Sequence, residues 1–229
     1  SSATVSGYSL PEGLELITPV INIENGGVEA ADYLELMLPV QIPAGKFAML
    51  FTWDPASGAL DALPLLEIDD NHLTALTTHF TLILGVQVNT AELDALNIQT
   101  GFKQGRNNWQ FANYGSFIAP GGHCAGQSLM AMDFFIRFNG APLFGKYDNF
   151  GNPGYPVSPN QQDDDRLAYR MCSVAQNRMD FGNLGNKYWF RVQNQGSGYI
   201  TYYSFALALM ASNEPQFISI FGDLGGHAM

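Results

Sequence analysis

Basic residues are scarce in this chain. It carries 10 Lys and Arg against 21 Asp and Glu over 229 residues, a formal charge of −11. Binding to nucleic acid needs a surface of clustered Lys and Arg that displaces counterions from phosphates, so this balance argues against such a partner. Long apolar runs are also missing. None approaches the roughly 20 residues of a bilayer crossing, so no membrane span is expected. Cysteine is limited to Cys124 and Cys172, and histidine to His72, His79, His123 and His227. Ligands at tetrahedral spacing are lacking, so neither a metal nor another cofactor is expected. No signal peptide is expected within these residues, and the abrupt start at Ser1-Ser2 leaves room for a targeting segment already removed. Few lysines beside abundant Asn, Gln, Gly and Tyr suit an exported protein, and the expected location is secreted or cell-surface.

What is present can build cores. The chain is 46% hydrophobic and 13% aromatic, enough for one large domain or two modest ones. The charge is divided unevenly. Residues 1–100 hold 13 of the 21 acidic residues and a single base, Lys46, whereas the remainder holds nine bases and eight acids. Such a shift predicts a boundary near Asn97–Asn108, with an acidic domain over 1–98 and a second over 99–229. The alternative is one domain with an acidic face.

The acidic half reads as short strands separated by turn chemistry. Leu34–Val40 alternates in part, and Phe47–Trp53 is continuously apolar and aromatic. Asp54-Pro-Ala-Ser-Gly58 is a turn, as are Asn25-Gly26-Gly27 and Asp69-Asp70-Asn71. Leu73–Leu84 is a β-rich run that Gly85 is expected to interrupt. Strands with turns every 8–15 residues predict an antiparallel β-sandwich. The segments Leu50-Phe-Thr-Trp-Asp54 and Thr78-His-Phe-Thr81 resemble a β-sandwich module of bacterial surface and secreted proteins. That resemblance covers about forty residues and implies a structural His79, with metal ligation as the alternative, although its only histidine neighbour in sequence is His72 and no cysteine is near. The acidity of this half either keeps it soluble or, through Asp69-Asp70, binds cations.

The second half centres on Ala119-Pro-Gly-Gly-His-Cys-Ala-Gly-Gln-Ser128. Ala125, Leu129, Met132 and Ile136 are spaced by 4, 3 and 4 residues, which predicts a helix from Cys124 that ends at Asn139-Gly140. Cys124 then sits in the first turn, where free N–H groups and the positive end of the dipole favour a thiolate. The same N–H groups can hold an oxyanion. Gly121 and Gly122 allow a substrate backbone to come close. The thiol needs a base to take its proton. His123 is adjacent and points away, and His72 and His79 belong to the acidic half, which leaves His227. It follows the apolar Pro215–Phe221, read as a buried strand, and a glycine turn. Asp163-Asp164-Asp165 reads as a helix cap, with calcium binding as the alternative. In the helix that follows, Leu167, Met171 and Val174 share a face and Cys172 is core. Tyr188–Phe190 and Tyr199–Phe205 are either core or the lining of a substrate groove.

Gly-Gly-His-Cys-Ala-Gly-Gln-Ser at a helix start, followed about a hundred residues later by Phe-Ile-Ser-Ile-Phe and Gly-Gly-His-Ala, resembles bacterial papain-like cysteine peptidases. The resemblance implies an α+β protein in which the sandwich is followed by a papain-like domain. It implies Cys124 as nucleophile, His227 as general base, and a peptide or protein substrate. Two positions depart from the family's pattern. The oxyanion glutamine expected six residues before the cysteine is Ile118 here, and Asn113 is the nearest upstream amide. The residue that orients the histidine follows it in the family, so the papain-like domain is expected to be truncated at its C-terminus. For Cys124, a buried structural thiol and a disulfide with Cys172 stay open. For the whole chain, a non-catalytic surface-associated binding protein and a transglutaminase-like acyl transferase also stay open.

Overall fold

The computed structural model describes residues 4–5, 8–24, 30, 32–78, 82–113, 115–146, 168–179, 197–222 and 225–229. The protein is α+β, and every paired strand is antiparallel. It divides into two compact units. One comprises Ser1–Ile98 and Phe181–Asn213, the other Gln99–Asp180 and Glu214–Met229. The first division falls where the charge changes. The second domain had been expected to run unbroken over 99–229, but Phe181–Asn213 goes with the acidic unit.

In chain order the first unit holds β1 (Thr4–Val5), β2 (Tyr8–Ser9), β3 (Glu15–Leu16), β4 (Ile21–Asn22) and β5 (Leu34–Pro39). These are followed by β6 (Lys46–Trp53), β7 (Leu60–Ala62), β8 (Leu65–Ile68), β9 (His72–Thr77), β10 (Leu82–Asn89) and the short helix α1 (Thr90–Asp94). One sheet has the order β3-β10-β6-β7, with β4 also on β10, and a second has the order β5-β9-β8. The apolar run Phe47–Trp53 becomes β6, buried along its length between β10 and β7. A strand covered on both faces reads as unbroken hydrophobicity rather than alternation. β5 lies at a sheet edge and alternates as a half-solvated strand does. Leu36 and Leu38 pack against the core, while Met37 is 60% exposed. Asp54 builds the β6–β7 turn by accepting the Ala56 N–H (2.9 Å) and the Ser57 hydroxyl (2.5 Å). Asp69 does the same at the β8–β9 turn, accepting N–H groups from Asn71 and His72.

Gly85 does not interrupt its run. It lies inside β10, opposite Leu50. A Cβ there would meet the Ile17 side chain at 2.9 Å and the Thr18 methyl at 3.0 Å. Its N–H donates to Thr18 Oγ1 (2.7 Å), and its carbonyl accepts the Ile17 N–H (3.0 Å). The glycine marks a close approach of another segment rather than a strand end. The break lies earlier: β9 and β10 belong to different sheets. His79 and Thr81, part of the motif expected there, lie outside the described residues, as do Asn25-Gly26-Gly27.

The second unit contains α2 (Cys124–Arg137) and α3 (Ala168–Arg178). Helix α4 (Ser197–Ser212) belongs to the first unit, and β11 (Ser219–Gly222) and β12 (Gly225–Ala228) complete the second. α4 packs against β6, β7, β8 and α1. Phe47 meets the rings of Tyr199 and Tyr203 at 5.6 and 5.4 Å, Tyr203 donates to Asp94 (3.0 Å), and Ile200 and Leu207 join the strand core. From the Tyr199–Phe205 run, Ile200 and the partly buried Tyr203 therefore belong to the core of the acidic unit, whereas Tyr199 and Tyr202 are exposed.

α2 begins and ends as expected. Asn139 and Gly140 take positive φ, and the Gly140 N–H returns to Phe135 O (2.8 Å), closing the helix in the left-handed manner. Its buried positions are Ala125, Gly126, Ala131 and Phe134. Ile136, expected on the packed face, is exposed. α2 and α3 meet around Trp109, Phe111, Phe134, Leu143, Tyr169 and Cys172. Met171, also expected inward, is 43% exposed. Asp163–Leu167 and Tyr188–Phe190 lie outside the described residues.

Candidate active site

The loop that delivers Cys124 is closed on itself. The Gly115 N–H donates to His123 Nδ1 (3.1 Å), and the Tyr169 hydroxyl, from α3, donates to the Gly115 carbonyl. Ser116 and Gly122 both donate their N–H to Ala119 O, at 3.0 and 3.1 Å. Asn113 Oδ1 accepts the His123 N–H. Gly122 has φ +111, a conformation L side chains rarely adopt, and a Cβ there would press on the Asn113 amide. At Gly121 an added Cβ would meet nothing within 4 Å. Phe117, in the middle of this bonded loop, is 69% exposed.

His123 is the N-cap residue of α2, and its side chain makes no cap hydrogen bond. The ring is fully buried, edge-on to Tyr169 at 4.3 Å, with Phe111 beside it. Because Nδ1 accepts a hydrogen bond from the Gly115 N–H, the neutral ring carries its own proton on Nε2, which has no hydrogen-bond partner among the described residues. Burial pushes the imidazole down to about 4. His123 is thus a neutral interior group that anchors the loop.

Cys124 opens the helix with a half-buried thiol, and Cys172 is completely buried. No disulfide joins the two in this structure. The helix N–H groups expected to face a substrate oxyanion are only partly available. Those of Ala125 and Gly126 both donate to Gln176 Oε1, at 2.9 and 3.1 Å. The Cys124 N–H has no acceptor among the described residues. Asn113, proposed for the oxyanion, is exposed, and its oxygen is occupied by the His123 N–H. Its Nδ2 remains able to donate. Gln127 turns its amide to the Phe111 carbonyl (3.1 Å), while its own carbonyl accepts the Trp109 indole N–H (2.9 Å). Both bonds tie the strip before the loop to α2.

His227 is the third residue of β12 and pairs with Ile220 of β11. Ile220 is 50% exposed, so the strand expected to be buried is open on that side. His227 is exposed as well, whereas its neighbour Ala228 is buried. Side chains alternate across a strand, so Ala228 and His227 face opposite ways. α2 packs against β12, which brings the element of the thiol and the element of the imidazole together. No hydrogen bond joins Cys124 Sγ to His227 among the described residues.

Sequence reasoning missed Gln176, Tyr169 and the buried state of His123. One signal for Gln176 was available. α2 has no capping side chain at its N-cap and no acidic residue in its first turn, so an acceptor had to come from elsewhere. Which residue supplies it is set by tertiary packing fifty positions away. His72, set aside as a base, is held by Asp69 (2.9 Å) and Glu67 (3.7 Å) on the first unit. Among the described residues no group of three or more His, Cys, Asp or Glu is placed to hold a metal ion. No helix among them is long and apolar enough to cross a membrane. No family model, no curated protein and no solved structure matches this chain.

Proposed function

We propose that the second unit is a papain-like thiol peptidase domain and the first a β-sandwich module of a secreted or cell-surface protein. The observation that carries this reading is a free, half-buried thiol in the first turn of α2, a helix that packs against the strand bearing His227. In the proposed reaction His227 takes the proton of Cys124, and the thiolate attacks the carbonyl carbon of a peptide bond. The oxyanion is held by the Cys124 N–H and the Asn113 amide nitrogen. His227 then returns the proton to the departing amine, and water releases the acyl group from sulfur. Closure of the Cys124–His227 pair is the step the substrate completes, since catalytic hydrogen bonds often tighten only in the complex.

The test is turnover of a mixed peptide library by the full chain, with new termini read by mass spectrometry. Alkylation of the protein and Cys124→Ala should each reduce cleavage to background, and His227→Ala should lower it by at least about a hundredfold. Cleavage that persists in Cys124→Ala rules the mechanism out. Adding a primary amine separates hydrolysis from acyl transfer, because a transferase would yield the amide of that amine.

A second reading, a non-catalytic binding module on the same scaffold, is favoured by the exposed His227 and by the two helix N–H groups already committed to Gln176. Peptide binding without new termini would select it.

A further inference from the structure

We propose that Gln176 is a positioning residue that sets the reactivity of Cys124, supplying the head of α2 with an acceptor that carries no charge. The inference rests on the thiol reading above and adds a residue to it. Two donors, Ala125 N–H and Gly126 N–H, converge on one oxygen of a side chain from α3. The convergence depends on an unusually close approach of the helices. A Cβ on Gly126 would lie 1.9 Å from the Cys172 carbonyl oxygen and 2.9 Å from the Gln176 nitrogen. Only glycine lets this turn of α3 come near enough for Gln176 to reach. α2 brings no cap of its own, since the His123 side chain is turned inward to Gly115.

The identity of the side chain is the informative part. For cap strength alone, Glu would serve better than Gln. A carboxylate accepts the same two N–H groups and also gains from the helix dipole. Beside a sulfur that must become a thiolate, however, a carboxylate is a second negative charge, and like charges disfavour each other's ionised form. Gln fills the two donors, holds the first turn rigid and leaves the dipole to the sulfur. It also leaves the Cys124 N–H as the backbone donor at this helix head without an acceptor among the described residues.

The experiment compares Gln176→Glu with the wild type in the full chain. It measures iodoacetamide alkylation of Cys124 by peptide mapping between pH 5 and 10, alongside thermal unfolding. The expected result is an unchanged or raised unfolding temperature with the rate–pH profile of Cys124 moved upward, slowing the reaction at pH 7 by about tenfold. Gln176→Met, which lacks the acceptor, should lower stability without that upward displacement. A purely structural role predicts that Gln176→Glu leaves the profile where it is, and that outcome overturns the proposal. Because the readout is the sulfur and not cleavage, a displaced profile in a protein that cuts no peptide would retain this inference while refuting the peptidase reading.

Discussion

At the scale of single residues, His123 has the clearest consequence. The folded protein holds its imidazole at about 4, against 6.5 when exposed, because burial penalises the cation. A depressed histidine favours the unfolded chain once protons are available. Its contribution is whole above about pH 6.5 and is lost as pH falls toward 4, by up to about 3 kcal/mol. Protonation at Nδ1 would also remove the acceptor of the Gly115 N–H. Urea unfolding at pH 7 and pH 5 should therefore show a loss of stability that His123→Gln, an uncharged residue able to accept the same N–H, reduces. An equal loss in the variant would place the titrating group elsewhere. Little of this was readable beforehand. The adjacency of His123 and Cys124 is visible in the sequence, but the burial of His123 depends on Tyr169 and Phe111, which close around it only in the fold.

At the scale of elements, the α2–α3 contact is governed by Gly126. Replacing it with Ala places a methyl group against the Cys172 backbone, which cannot swing away as a flexible side chain could. Overpacking of this kind costs about 3 kcal/mol. Chemical denaturation of Gly126→Ala should show that loss. The buried Cys172 should become open to alkylation under native conditions, since the helices must part to relieve the clash. A variant as stable as wild type with Cys172 still protected would mean that the contact is looser than described. The bounds of α2 were legible because its signals are local: apolar spacing from Cys124, and Asn139-Gly140 to turn the chain at positive φ. Its packed face was misread because the neighbour is one helix at close range, reached through small residues. Gly85 was misread for a related reason. Sequence shows a missing side chain, and only the fold shows whether the space is used for a turn or for Ile17 and Thr18.

At the scale of the whole molecule, the charge asymmetry located the first division and concealed the return of α4. That helix has no charged residue, so nothing in its composition marked it off from the second domain over 99–229. Its attachment follows from Ile200 and Leu207 filling the strand core and from Tyr199 and Tyr203 meeting Phe47. A chain cut after Ile98 would leave that surface bare. It should bind a hydrophobic dye and unfold less steeply with denaturant than the corresponding transition of the intact protein, and a fragment that is compact, dye-free and cooperative would show α4 to be dispensable. The interleaved order also bears on how the protein is made. A ribosome finishes the ten strands of the acidic unit roughly a hundred residues before it delivers the helix that covers them, and β12 with its imidazole emerges later still. During that interval the apolar surface that α4 will cover stays open on the nascent strands, which therefore need shelter from one another while the chain is still being threaded out.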